Sequence, residues 1–288
     1  MQPISILGSD AAALAAALAD RLDGRVAVVD RRERSDAGGD DTDESATDGG
    51  TVDARTASTT RTDPDYDTEI ALDADGSWSG SGRVDGLDEM LDDLAPAHDY
   101  LLVLGESRLR VPAVLLGDGV SPDDVPGQVL ATAPSADDVA LDRLVVDLDD
   151  AEPWITRETL VRRVEASSRA DRSGAIATFT GRVRERDGAD DDRTTHLAFE
   201  KYEGVARDRM DAIAAELTER DGVFDVRMHH RTGVIESGED IVFVVVLAGH
   251  RREAFRAVED GIDRLKDEVP IFKKETTEAE AFWVHQRE

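Results

Sequence analysis

Three of the four lysines in this 288-residue chain stand within nine positions: Lys266, Lys273 and Lys274, in the stretch RLKDEVPIFKKE. The fourth is Lys201, and every other basic residue is arginine. The two side chains differ in what chemistry they permit. Arginine holds its proton in proteins, whereas a lysine amine releases it when desolvated or crowded by other cations. Neutral, the amine is a nucleophile or base; charged, it is an acid. A chain that otherwise uses arginine is expected to keep lysine where proton transfer or amine chemistry requires it. A lysine late in a helix also complements the helix dipole. That covers Lys266 but explains the cluster poorly.

A second set is His250, Arg251 and Arg252 in GHRREAF, at the expected start of a helix that follows a buried strand. Cations there oppose the helix macrodipole, at roughly 0.3–1 kcal/mol each. Such a local violation points to a function, and positive side chains beside free backbone N–H groups bind an anion, most simply a phosphate. The other reading is a tolerated surface pair, or an arginine bonded to a nearby Glu. A third set is GRVRER, where Arg182 and Arg184 alternate with Val183 and so share one strand face. Taken alone it also fits a solvated strand edge.

Several chemistries are excluded by composition. The chain has no cysteine, so it offers no disulfide, thiolate metal site, persulfide or thiol nucleophile. With 64 acidic and 34 basic residues its formal net charge is -30, which disfavours nucleic acid and anionic membranes as partners. Few lysines and many Asp fit a salt-rich cytoplasm, where salt screens self-repulsion. No apolar run approaches the ~20 residues of a membrane span, and the N-terminus is a poor signal peptide, so a soluble cytoplasmic protein is expected. Neither a metal site nor a resident cofactor is implied.

Elements that would position these residues fall in two parts. Residues 1–150 carry net -23 and residues 151–288 net -7, with a boundary near the acidic stretch DLDDAEP. In the first part ISILG predicts a buried strand, SDAAALAAALADRL a helix capped by Ser9 or Asp10, and RVAVVD a second strand. A polar, Gly-rich insert, about 35–68, is expected to be disordered. Helix, buried strand, loop and strand then return, which makes this part α/β with a mainly parallel sheet. Where a phosphate loop would place Gly, Lys and Ser/Thr stand Ala13, Leu14 and Ala15, so nucleotide hydrolysis is not expected. The second part is α+β. Its first helix is capped by Thr156, followed by strands GAIATFTGRVR and THLAFEKY. A helix with Val205, Met210, Ile213 and Leu217 on one face leads to two further strands. The last helix, with Phe255, Val258, Ile262 and Leu265 inward, ends at Pro270 before a short final strand, AFWVHQ.

The motifs GAIATFTGRVR, FEKYEG, RTGVIESGEDIVFVVVLAGHRREAF and LKDEVPIFKKE together resemble the large, catalytic subunit of molybdopterin synthase, the MoaE family, over roughly 153–288. The resemblance implies an α/β hammerhead fold and a homodimer within a heterotetramer. It implies conversion of cyclic pyranopterin monophosphate (precursor Z) into molybdopterin by transfer of two dithiolene sulfurs. The sulfur would arrive as a thiocarboxylate on the C-terminal glycine of a small ubiquitin-like, MoaD-like subunit, which suits a chain with no thiol of its own. By motif, Lys266 matches the family's essential lysine. Lys273, Lys274 and Glu275 match its second basic cluster, His250 and Arg251 its His-Arg pair, and Arg182, Val183 and Arg184 its substrate-contacting segment. A non-catalytic pterin-binding scaffold is the rival reading. The first part is more weakly similar to the MobB family, a P-loop fold, here in degenerate form.

Overall fold

The computed structural model describes residues 1–31, 68–186, 188, 192–201, 203–277 and 281–284. The polar insert expected at about 35–68 lies outside the described residues except for Thr68, which begins a strand.

The N-terminal region is built on β1 (Gln2–Leu7), α1 (Ala11–Ala19) and β2 (Val26–Asp30). A two-stranded ribbon of β3 (Thr68–Leu72) and β4 (Trp78–Gly82) follows, which the sequence reading did not foresee. Then come α2 (Leu87–Leu94), β5 (Tyr100–Leu104), β6 (Ala113–Leu116), β7 (Val129–Ala133) and α3 (Leu141–Asp149). The five strands pair in the order β2-β5-β1-β6-β7, and every pair is parallel. Leu102, Leu104, Val114 and Leu116 are buried beside Leu14 and Leu18 of α1, as expected of parallel strands covered on their faces.

The C-terminal region starts at α4 (Arg157–Glu165), where the Thr156 hydroxyl accepts the Thr159 N–H at 3.1 Å, the cap expected from sequence. It continues through β8 (Ala175–Arg182), β9 (Thr194–Lys201), α5 (Glu203–Thr218), β10 (Val223–His230), β11 (Gly233–Glu236) and β12 (Asp240–Ala248). The chain then forms α6 (Arg251–Glu268), β13 (Ile271–Thr277) and β14 (Ala281–Val284). These strands make two sheets, β10-β12-β8 and β11-β9-β13-β14. β12 is the central strand of the first and is almost wholly buried, with α4 on one face and α5 and α6 against the other.

Two inward assignments are corrected. Val205 is 60% exposed and Phe255 64% exposed. On α5 the buried arc runs through Ala206, Met210, Ile213 and Leu217, and Val205 sits about 100° away from Ala206. On α6 the arc runs through Ala254, Ala257, Val258, Gly261, Ile262 and Leu265, which leaves Phe255 off its edge. Small residues let this helix lie close to the sheet: a Cβ on Gly261 would come within 3.0 Å of Met228 and Val244.

The two regions meet at Trp154. Its backbone N–H donates to the Met1 carbonyl at 2.8 Å and its indole N–H to Asp92 at 2.8 Å, while the Arg231 guanidinium lies 5.6 Å above its ring centre. No helix among the described residues is long and apolar enough to cross a membrane.

Candidate functional site

The C-terminal end of α6 and the strand after it collect the lysines. Lys266 is exposed in the last turn of α6, one position after the buried Leu265. Arg264 fixes that turn by donating to Glu268 at 2.7 Å and to Glu216 of α5 at 2.6 Å. The chain turns at Pro270, as expected, and β13 runs antiparallel to β9.

The register decides which way β13 points its side chains. Lys273 stands opposite Phe199 and Glu275 opposite Leu197, both partners being 6% exposed. Directly opposed residues share a face, so Lys273 and Glu275 lie on the sheet's core side. Lys274, opposite Ala198, and Phe272, opposite Glu200, lie on the other side. The Lys273 ammonium is 3.7 Å from the Glu275 carboxylate, whose second oxygen accepts the Thr194 hydroxyl at 2.6 Å.

The β8 segment delivers its arginines to this same end of the C-terminal region. β8 and β12 are antiparallel, with Arg182 opposite Asp240 and Ala175 opposite Ala248. Helix α6 then runs back from Ala248, so its end approaches the level of Arg182. Arg182 and Arg184 are exposed and Val183 is buried, the alternation read from sequence. Their surroundings differ: Arg182 bonds the Asp240 carboxylate at 3.1 Å and the Gly238 carbonyl, and Val183 packs in the core with its N–H on the Glu239 carbonyl at 2.9 Å. Arg182 is thus tied into the turn before β12, and Arg184 lies beyond it on the exposed segment that follows β8.

His250 and Arg251 lie elsewhere. His250 is the exposed N-cap of α6, with no side-chain cap bond, and Arg251 and Arg252 are exposed in its first turn. From His250 to Lys266 the helix advances about 24 Å at ~1.5 Å per residue. Within one chain, therefore, the predicted residues form two groups at opposite ends of α6. One site common to both requires something the single chain does not supply.

A cleft of about 940 Å³ runs between the N- and C-terminal regions, and Arg182 alone of the predicted residues lines it. It does not coincide with the lysine cluster. Among the described residues no group of His, Asp and Glu is placed to hold a metal ion. Sequence reasoning missed Thr194, whose only signal is its place two residues before Leu197's neighbour His196 on the strand facing β13.

One helix thus carries exposed cations at its start, His250, Arg251 and Arg252, and an exposed lysine, Lys266, in its last turn, in a chain with no thiol. The MoaE family model, described as MoaE protein, matches residues 154–268. The chain is 50% identical over 287 residues to a probable molybdopterin synthase of Haloferax volcanii, covering 100% of both chains. It is 37% identical to the molybdopterin synthase catalytic subunit of Bacillus subtilis over 45% of this chain and 79% of that one. The crystal structure of molybdopterin synthase from Staphylococcus aureus aligns with 32% identity and a TM-score of 0.41, over 47% of this chain and 93% of that one. The chain belongs to the molybdopterin synthase family, and its role is in molybdenum cofactor biosynthesis.

Proposed function

We propose that this chain is the catalytic subunit that turns cyclic pyranopterin monophosphate into molybdopterin, the substrate itself accepting the sulfur. A MoaD-like small subunit with a thiocarboxylated C-terminus supplies the sulfur. The observation that carries the reading is the retention of lysine at Lys266 and Lys273, in a chain whose basic residues are otherwise almost all arginine, where α6 and β13 converge. An amine in that position takes or gives a proton as sulfur moves. Lys274 extends the basic cluster, and the Glu275 carboxylate pairs with Lys273 within it. His250, Arg251 and Arg184 hold the substrate's phosphate through charge-assisted hydrogen bonds.

The separation of about 24 Å along α6 favours a homodimer in which the site is shared. β8 is an edge strand among the described residues, with an unpaired row of backbone groups available to a second chain. Antiparallel pairing of two β8 edges would set the Arg182 end of one copy against the Ala175 end of the other. The second copy's His250 and Arg251 would then stand near the first copy's Arg184 and Lys266. Ile176 and Phe255, both exposed, lie at that Ala175 end and give such a contact its apolar surface.

For the N-terminal region we infer a unit spanning 1–150, separate from a catalytic unit at 151–288, with a degenerate P-loop-like layout. Support comes from the order β1, Gly8, α1 in a parallel sheet, without a lysine or hydroxyl where phosphate and magnesium would need them. Calorimetric titration with ATP or GTP should show no tight binding; micromolar affinity would contradict this. The main reading is tested by mixing the purified chain with thiocarboxylated small subunit and precursor Z and assaying molybdopterin. Formation of product is expected, and precursor that binds without being converted would favour the non-catalytic scaffold.

A further inference from the structure

We propose that Thr194 is a positioning residue that sets Lys273 through Glu275 and ties that pair to the Arg184 segment. This rests on the reading above, in which Lys273 belongs to the sulfur-transfer site.

Thr194 opens β9 and is only 6% exposed. Its hydroxyl donates to one oxygen of Glu275 at 2.6 Å, while the other oxygen of that carboxylate lies 3.7 Å from the Lys273 ammonium. One carboxylate therefore links a buried hydroxyl to the lysine. Glu275 and Lys273 sit two residues apart on the core-facing side of β13, so the carboxylate is within reach of both groups. The Thr194 backbone N–H donates to the Glu185 carbonyl at 2.8 Å, one residue after Arg184. One residue thus joins the arginine-bearing segment after β8 to the lysine-bearing strand β13. The register of β9 and β13 slips between Thr276 and Thr277, where Thr194 stands opposite Thr277. A bulge re-aims nearby side chains, and here it accompanies the diagonal approach of the Thr194 hydroxyl to Glu275.

A carboxylate on a strand has rotamers to choose from, and an ammonium 3.7 Å away does not by itself select one. A neutral donor of fixed position does. Without the hydroxyl, Glu275 can turn off the lysine, and the amine loses its orientation towards a substrate while its charge stays in place. Binding of a phosphate elsewhere in the site would be unaffected.

The test uses the full-length protein with thiocarboxylated small subunit and precursor Z, comparing wild type with Thr194→Val, Thr194→Ser, Glu275→Gln and the double variant Thr194→Val/Glu275→Gln. Loss of a hydrogen bond to a charged group predicts about a tenfold fall in kcat for Thr194→Val, with KM for precursor Z unchanged. Thr194→Ser should restore turnover, because it keeps the hydroxyl. The double variant should be no slower than Glu275→Gln, because Thr194 acts through that carboxylate. Three outcomes would overturn the proposal: wild-type kcat in Thr194→Val, no rescue by Ser, or fully additive losses in the double variant. If Thr194→Val fails to fold, Ser rescue and the Glu275→Gln turnover still decide, since a wild-type rate in Glu275→Gln removes the link. A wild-type protein that makes no molybdopterin would overturn the functional reading itself, and this proposal with it.

Discussion

Two strands in this molecule end at a glycine and lead directly into a helix, and they carry opposite charges. β1 passes through Gly8, Ser9 and Asp10 into α1; β12 passes through Gly249 and His250 into α6, which opens on Arg251. Both helix starts present free backbone N–H groups and the positive end of a dipole. The first adds a carboxylate, which fits a helix start that repels anions. The second adds two arginines and a histidine, all exposed, where the dipole disfavours them. The same backbone device thus serves packing in one region and, on our reading, anion capture in the other. At Gly8 the packing role is explicit: φ is +119°, and an added Cβ would lie 2.2 Å from the Leu116 carbonyl oxygen of β6.

The largest effect is expected at the far end of α6. Lys266→Arg keeps the charge but removes an amine that can become neutral. Turnover should fall by roughly 10²–10⁴, the range for a positioned proton-transfer group, with folding and small-subunit binding intact. Single-turnover assays and size-exclusion chromatography check the two halves; near-normal turnover sinks the role given to Lys266. Next comes Gly8→Ala, which should destabilise the protein by roughly 2–4 kcal/mol through strain and overlap. Thermal unfolding reads this, and an unchanged midpoint would deny Gly8 its packing role. Arg251→Ala should then weaken precursor binding by about 1–3 kcal/mol without affecting folding, as measured by calorimetry.

The smallest effect concerns alkaline stability in the N-terminal region. Burial pushes the Tyr100 hydroxyl up to about 12, and its hydrogen bond to Asp149 at 2.9 Å adds to the shift. Unfolded tyrosine ionises near pH ~10. The contribution is therefore complete below that pH and is lost as the pH rises towards 12. Tyr100→Phe should flatten the fall in stability across that window, and an unchanged slope in urea unfolding would contradict the assignment.

Much of this was legible in the sequence because the signals were local. Buried runs such as IVFVVVLA and YLLVL announce central strands, and Thr156 announces its helix through a single hydroxyl. Register and helix arc were not local. Apolar type alone points Phe255 and Val205 inward, but small neighbours, Ala254 and Ala206, hold the buried arc. The ribbon of β3 and β4 reads as loop because serine and glycine fill β4, and pairing rather than propensity makes the strand. In the candidate site the lysines stood out by rarity. Thr194 did not, since its meaning depends on a carboxylate 81 positions away.

The most direct test of a site shared between two copies is complementation between two damaged chains. Lys266→Arg and the double variant His250→Ala/Arg251→Ala are purified, mixed under conditions that exchange subunits, and assayed with thiocarboxylated small subunit and precursor Z. If the lysine end of one copy works with the α6 start of the other, each mixed dimer contains one site with every lesion and one site with none. At precursor concentrations too low to saturate the binding-impaired variant, activity should then rise on mixing well above that of either parent, each of which is impaired alone. If all the residues act within one chain, every site keeps a lesion. Mixed dimers no more active than their parents would contradict the account.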